Sequence, residues 1–414
     1  MPKDDAAHEA PTRRDYMKYG GAVVGGGLLA GCAGQSDSGS TPTETDSGET
    51  ETDTSTEESE PEDTSYSVTM EPVGEVTFES VPEEIIGHGA STEAAITLGH
   101  GDAVVNTVSE GGGLYTGFLN RLPDVSFPDI DNMSGVRNEG ALNKEQVYEV
   151  DPDLIGIDPN WLLTWASAEP SDIEEITGNV APFFGNFSRE KRADDWANWP
   201  NGEYAYYSIY DLMEKWGEMF QEPERARALN EMGQSFYEQL QSELPPVDER
   251  PTVGLPNSFG IGLDLDIVLY SLQTEIDIAS GKKQYQDIGV TDAFEGFYDG
   301  KARATVDYEA MLEYDPDVLL LHFAITGPET YRKAVEKLQN DPVASQLSAV
   351  QNDRVYPGSF INHGPVSYMF QTEMAAKQVY PDIFGEFPGL GEPVPESEQL
   401  FDRQRVANII NGDI

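Results

Sequence analysis

Cysteine is almost missing from this chain: Cys32 is the only one in 414 residues. A single cysteine excludes an internal disulfide and a cysteine-based zinc cluster. Basic residues are scarce as well, 25 against 75 acidic. Phosphate contacts need clustered Lys and Arg, so no direct binding of nucleic acid is expected. The apolar run from Tyr19 to Leu29 is the leading membrane candidate, and it falls short of the ~20 residues a spanning helix needs. Catalytic signatures are missing too. There is no GxSxG elbow, no HExxH, no P-loop and no GxGxxG after a strand, and Gly111-Gly112-Gly113 stands isolated. An enzyme is therefore not expected; a secreted hydrolase is the alternative from that class, and no motif supports it.

What is present is a globular composition. Hydrophobic residues make up 38%, with 17 Phe, 19 Tyr and 5 Trp, enough for real cores, and the length suits two domains of roughly 100–200 residues each. The net charge of −50 is spread over nearly every segment rather than gathered into a polyanionic tail. Such a surface stays hydrated in strong salt, where screening collapses its self-repulsion. The composition points to a salt-loving source.

The N-terminus reads as an address. "TRRDYMK" (12–18), with Arg13 and Arg14, precedes the short apolar run and then "LAGC" (29–32). The order resembles a Tat export signal followed by a lipoprotein lipobox, with Cys32 as the lipidated residue. Residues 33–66 contain almost nothing apolar and should form a disordered, charge-extended tether. The expected location is the outer face of the cell membrane.

Beyond the tether, short apolar runs alternate with helical patterns, the signature of an α/β fold. "YEVDPDLIGID" (148–158) returns as "EYDPDVLLLHF" (313–323), placing Asp151 on Asp315 and Asp158 on His322. Between them, "SIYDLMEKWGEMFQ" (208–221) and the stretch 222–244 read as helices, with Leu229, Met232, Phe236, Leu240 and Leu244 at helical spacing. One helix–turn–strand unit thus serves each of two similar α/β lobes. The expected division is a signal at 1–32, a tether at 33–66 and an N-terminal lobe at 67–207. An interdomain helix region at 208–246, a C-terminal lobe at 247–390 and a tail at 391–414 follow. In open α/β sheets ligands bind beyond the carboxyl ends of the strands, so loops at Asp158–Trp161 and His322–Thr326 should face a shared cleft. Asp151, Pro152 and Asp153 read as a turn, not as ligands.

Three stretches carry a family resemblance: "VPEEIIGHGASTEAAITLGHGDAVVNTV", "GALNKEQVYEVDPDLIGID" and "NDPVASQLSAVQNDRVYPG" before a closing helix that finishes "VYPDIF". Over roughly residues 75–385 the chain resembles the substrate-binding proteins of ABC importers, in the branch that handles iron-siderophore complexes and cobalamin. The resemblance implies a rigid interdomain helix, ligand capture in the cleft and docking to an ABC permease with its ATPase. It implies no resident cofactor; the ligand would be a small-molecule metal chelate, with a bare metal ion or cobalamin as the alternative. A monomer is expected. The stretch 185–207 is longer and richer in aromatics than the family pattern.

Candidate ligand contacts follow from strand ends and from scarcity. His88, His322 and His363 sit at predicted strand ends, able to line the cleft or to ligate metal. Glu93, Asp158 and Asp264 are available acids. Arg189, Lys191 and Arg192 are the densest basic group after Cys32 and would complement an anionic ferric chelate; Arg137 and Arg303 are weaker candidates. Asn160 belongs to the same strand-end loop as Trp161. Tyr115, Trp161, Trp165, Trp196, Trp199, Phe259 and Phe360 are expected in loops at the mouth, as walls for a large flat ligand.

Overall fold

A computed structural model describes residues 64–414, except 190, 191, 194, 273–280 and 359–363. Arg13, Arg14, Cys32, Lys191, Phe360 and His363 therefore lie outside the described residues. The described chain begins with an antiparallel hairpin, β1 (Tyr66–Met70) and β2 (Gly74–Phe78), in register from Tyr66↔Phe78 to Met70↔Gly74. Val68, Met70, Val76 and Phe78 turn inward while Ser67, Thr69, Glu75 and Thr77 face water, the period of two that a half-buried strand imposes.

Two parallel sheets follow, and their strand order is the same. In the first, β3 (Ile85–Gly87) lies between β4 (Val104–Thr107) and β5 (Leu154–Gly156), and Phe183 bridges to Ile155 beyond β5. In the second, β6 (Thr252–Gly254) lies between β7 (Thr291–Asp292) and β8 (Val318–Leu321), with β9 (Val355–Pro357) beyond β8. Every residue of β3, β5 and β8 is buried, as parallel strands covered on both faces require. The stretch 179–187 contributes only the Phe183 bridge.

The first helix is α1 (Ala90–Thr97). Gly89 occupies the N-cap at φ 54° and no side chain caps it, so Ser91 and Thr92 lie inside the helix, both buried. The duplicated unit is symmetric in detail. Helix α2 (Lys144–Val150) starts at Asn143, whose side chain accepts from Gln146 N, and ends at Asp151 with φ 49°. After the Arg189-bearing stretch come α3 (Ile209–Met219) and α4 (Pro223–Glu243), and then the second copy of the unit, α5 (Tyr308–Tyr314). It starts at Asp307, capping Ala310 N, and ends at Asp315 with φ 41°. Each helix thus stops on an aspartate in the left-handed region, which Asp tolerates better than most residues. The second aspartate of each triplet pins the start of the neighbouring strand. Asp153 accepts from Glu83 N and Glu84 N at 3.0 and 3.1 Å, and Asp317 accepts from Thr252 N and its hydroxyl at 2.8 Å.

Helices α3 and α4 join the lobes. A Ser208/Asp211 capping box opens the first and Pro223 stands in the first turn of the second. The inner face of α4 carries Ala226, Leu229, Asn230, Gly233, Phe236 and Leu240; Met232 and Leu244, expected on it, are only partly buried. The closing helix α6 (Pro365–Val379) is buried along its entire length and packs on α1, α3 and α4. Residues 391–414, expected as a tail, hold α7 (Arg403–Ile410), which packs on α4. Among the described residues no helix is long and apolar enough to cross a membrane. One hydrophobic core runs from Val68 to Ile410 and includes Ile85 and Leu154 of one sheet and Val253 and Leu320 of the other.

Candidate functional site

The carboxyl ends of β3 and β5 deliver His88 and Asp158, and the end of β8 delivers His322. The segment after β5 is not the open loop expected from "DPNW". It is the first turn of a short helix, Pro159–Trp165, with Asp158 as its N-cap and Pro159 at the first helical position. That puts Trp161 and Trp165 on a helix, their ring centroids 5.9 Å apart. Asp158 is buried and fully engaged. It accepts from Asn160 N and Nδ2 at 2.9 Å, from Phe187 N at 3.2 Å and from the Tyr204 hydroxyl. Burial pushes its carboxyl up, against those donors.

Asn160 is engaged in the same way. Its amide donates to Trp199 O at 2.9 Å and accepts from Trp199 N at 2.7 Å, so it staples the 185–207 stretch to the helix. Ala197 N donates to Thr164 Oγ1 as a further stitch. Trp196 lies 4.8 Å from Trp165, and Phe187 lies 5.3 Å from it. The aromatic excess of this stretch therefore builds a packed annex on the first lobe. Arg192 belongs to the annex, its guanidinium 4.4 Å over the Tyr204 ring.

At the carboxyl end of the first sheet His88 and Trp161 have ring centroids 4.7 Å apart, with the Arg137 guanidinium 5.5 Å over Trp161. Gly113, at φ +60°, lies against the imidazole: a Cβ there would meet His88 Cε1 at 2.7 Å. Both imidazole nitrogens of His88 are buried without a hydrogen-bond partner. Burial, reinforced by Arg137, brings its pKa down to about 4, so the ring is a neutral donor of lone pairs at pH 7. The end of β8 carries a similar group. His322 is 1% exposed, with Tyr270 at 4.9 Å and Phe323 at 4.0 Å. Its Nδ1 is buried without a partner. Burial, then Lys282 and then Arg189 hold its pKa well below the ordinary value.

Arg189 touches the second lobe. Its carbonyl accepts from Gly281 N at 2.7 Å, and a Cβ on Gly281 would meet that oxygen at 2.7 Å and Arg189 Cγ at 2.8 Å. Arg189 of the first lobe and Lys282 of the second both act electrostatically on the His322 imidazole. Toward the mouth, Tyr115, Thr116 and Asn120 face Ile325, Thr326 and Pro328 across a crevice of about 750 Å³. Phe259, on a short helix rather than in a loop, lies 6.2 Å from Phe323.

The remaining candidates lie elsewhere. The Glu93 carboxylate accepts from Gly364 N, Val366 N and Ser367 N at the start of α6. Asp264 is paired with Lys337 at 2.6 Å, and Arg303 is exposed on Arg303–Val306. Lys282, Tyr270 and Phe323, absent from the sequence expectations, lie around His322. Scarcity of basic residues could have flagged Lys282, since Lys282-Lys283 is a basic pair in an acidic chain.

The buried imidazole of His88 carries a pH signature. Its folded pKa, about 4, lies below the ordinary 6.5, so its stabilising contribution is complete above pH 6.5 and disappears as pH falls toward 4. By pH 5 about 2 kcal/mol of it is lost, because the unfolded ring takes a proton that the folded ring refuses. Urea midpoints at pH 7.5 and pH 5 check this, with His88→Gln expected to lose correspondingly less than wild type on acidification. Equal losses would contradict it.

No curated protein matches the chain by sequence. Among solved structures, a periplasmic binding protein from Veillonella parvula matches with a TM-score of 0.53 at 16% identity, covering 76% of this chain and 97% of that one. Helicobacter pylori CeuE with Ni(II) bound gives 0.52 at 16% identity over 77% and 90% of the chains. An ABC-type Fe3+-hydroxamate transport system protein from Saccharomonospora viridis gives 0.50 at 19% identity over 76% and 98%. These likenesses share the fold. The family model for periplasmic binding proteins matches residues 85–359, and the chain belongs to that family.

Proposed function

We propose that the chain is a lipid-anchored solute-binding protein on the outer face of the membrane, which captures a metal chelate and hands it to an ABC permease. Family membership supports capture rather than catalysis, and the Saccharomonospora relative is named for Fe3+-hydroxamate transport. The observation that carries the choice of a chelate over a bare ion is the chemistry at the ends of the two sheets. They present neutral imidazoles, rings and cations, while the nearby carboxylates of Asp158 and Glu93 are occupied by protein donors. Among the described residues no three His, Cys, Asp or Glu side chains converge to hold a metal ion. A preformed chelate brings its own ligands and needs only walls and counter-charge. The Tat-like and lipobox stretches supply the anchor at Cys32, and the surplus of acids suits a salt-rich exterior.

Titration of the full-length chain in mild detergent with ferric siderophores, cobalamin, Zn²⁺ and Mn²⁺, followed by tryptophan quenching, tests this. Saturation by a ferric chelate is expected. Saturation by free Zn²⁺ or Mn²⁺ with no chelate response would overturn it, and turnover of the ligand would indicate an enzyme. His322→Ala is expected to weaken chelate binding about tenfold, the equivalent of one good polar or stacking contact, with an unchanged circular dichroism spectrum. Wild-type affinity in that variant would remove His322 from the site.

A further inference from the structure

Resting on that reading of an exported chain, two short motifs mark asparagines that a sugar can be attached to. The triplet Asn-x-Ser/Thr, with no proline in the middle, occurs as Asn132-Met133-Ser134 and as Asn186-Phe187-Ser188. The fold treats the two differently. Asn132 ends a single 3-10 turn, Ile130–Asn132, and the chain leaves it extended, with Met133 at φ −72° and ψ 129°. Asn132 and Ser134 are both exposed. Among the described residues the Asn132 amide makes one hydrogen bond, donating to the Asp129 carboxylate at 2.7 Å, so its second N–H is open. The neighbouring Asp131 lines the crevice at the mouth and accepts from the Thr116 hydroxyl at 2.6 Å, which fixes the turn at the rim.

Asn186 is closed off. Its amide donates to Glu71 O at 2.8 Å and to Ala205 O at 2.9 Å, which occupies both N–H groups. Ser188 is buried, and its hydroxyl donates to Asn186 Oδ1 and accepts from Tyr207 N at 2.6 Å.

We propose that Asn132 is an N-glycosylation site and that Asn186, with the same motif, is not. The Asn132 Nδ2 attacks the anomeric carbon of a lipid-phosphate-linked sugar, delivered by a membrane transferase. A carbon–nitrogen bond forms, the bond from that carbon to the phosphate oxygen breaks, and the lipid phosphate leaves with the electron pair. One amide proton is released, and nothing is oxidised or reduced. A twin-arginine signal serves a route that carries chains across already folded, so the sugar reaches only motifs that the fold leaves open. At Asn132 the glycosylated amide retains the one N–H that Asp129 accepts. At Asn186 the same step would break one of two bonds to backbone carbonyls.

Peptide mass spectrometry on the full-length chain from the membranes of its native cells, covering Cys32, Asn132 and Asn186, tests this. Sugar is expected on Asn132, at an occupancy at least ~10-fold above Asn186, because Asn186 must first open locally. Ser134→Ala should remove the Asn132 sugar and Ser134→Thr should retain it. A bare Asn132 on a chain with lipid at Cys32 would overturn the inference and leave the anchored receptor standing. Sugar at Asn186 equal to that at Asn132, or sugar persisting on Asn132 in Ser134→Ala, would also overturn it. A bare Asn132 together with an unlipidated Cys32 would overturn the anchored, exported reading itself.

Discussion

Arg403→Ala is expected to lose about 3–5 kcal/mol of stability, the cost of stripping one partner from a buried ion pair. Arg403 and Glu373 are 5% and 2% exposed and are paired with each other. The guanidinium also lies 4.8 Å over Phe370 and 5.5 Å over Phe401, and Glu373 accepts from Leu400 N at 2.7 Å. Removing the arginine leaves a carboxyl whose pKa burial already raises, with one backbone donor and a ring-lined hole. A loss of this size is a large fraction of the total stability of a typical domain, about 5–15 kcal/mol. The urea midpoint, with the slope of the transition as control, measures it. The double replacement Glu373→Leu with Arg403→Met should recover most of the loss, because an apolar pair of similar volume has no charge to desolvate. A double variant as unstable as Arg403→Ala would show that packing, not charge, dominates there.

Glu93→Ala is the second large effect. Glu93 belongs to the first lobe, is fully buried, and accepts three backbone N–H groups at 2.9–3.0 Å where α6 begins. A helix N-terminus has no intrahelical partners for those donors, and burial denies them water. Leaving them unsatisfied is expected to cost about 3 kcal/mol, since each orphaned buried donor costs roughly 1–3 and neighbours do not add fully. Glu93→Gln keeps one acceptor oxygen but turns an NH2 group toward donors, so it should fall between the two. Urea titration of the three proteins gives the order, and Glu93→Ala within 1 kcal/mol of wild type would remove the capping role.

The fold was legible because its signals are local. The Asp-Pro-Asp triplets end helices on a left-handed aspartate and lead into fully buried strands, and both events depend on a few adjacent residues. The departure at Asp158-Pro159 has a local signal as well: an N-cap residue followed by proline at the first helical position starts a helix, where the strand end alone suggests a loop. The site was legible only in outline. Strand ends pointed to His88 and His322, but no pattern along the chain discloses that Arg189 bonds to Gly281, since that contact arises only when two lobes meet. Burial was the hardest feature to foresee: α6 contains Gln371, Glu373, Lys377 and Gln378, all buried, in a stretch whose polar content suggests an exposed face.

The shared core has a thermodynamic meaning. Val68 to Ile410 form one contiguous apolar cluster, and α6, encoded near the end of the chain, packs on α1 near its beginning. Each lobe also has a cluster of its own, around Ile86 and Ile155 in one and Leu319 and Leu321 in the other, but the remaining sheet residues Ile85, Leu154, Val253 and Leu320 lie in the shared one. The two lobes should melt together in a single cooperative transition, and a chain severed between α4 and β6 should yield fragments that aggregate instead of two small folded proteins.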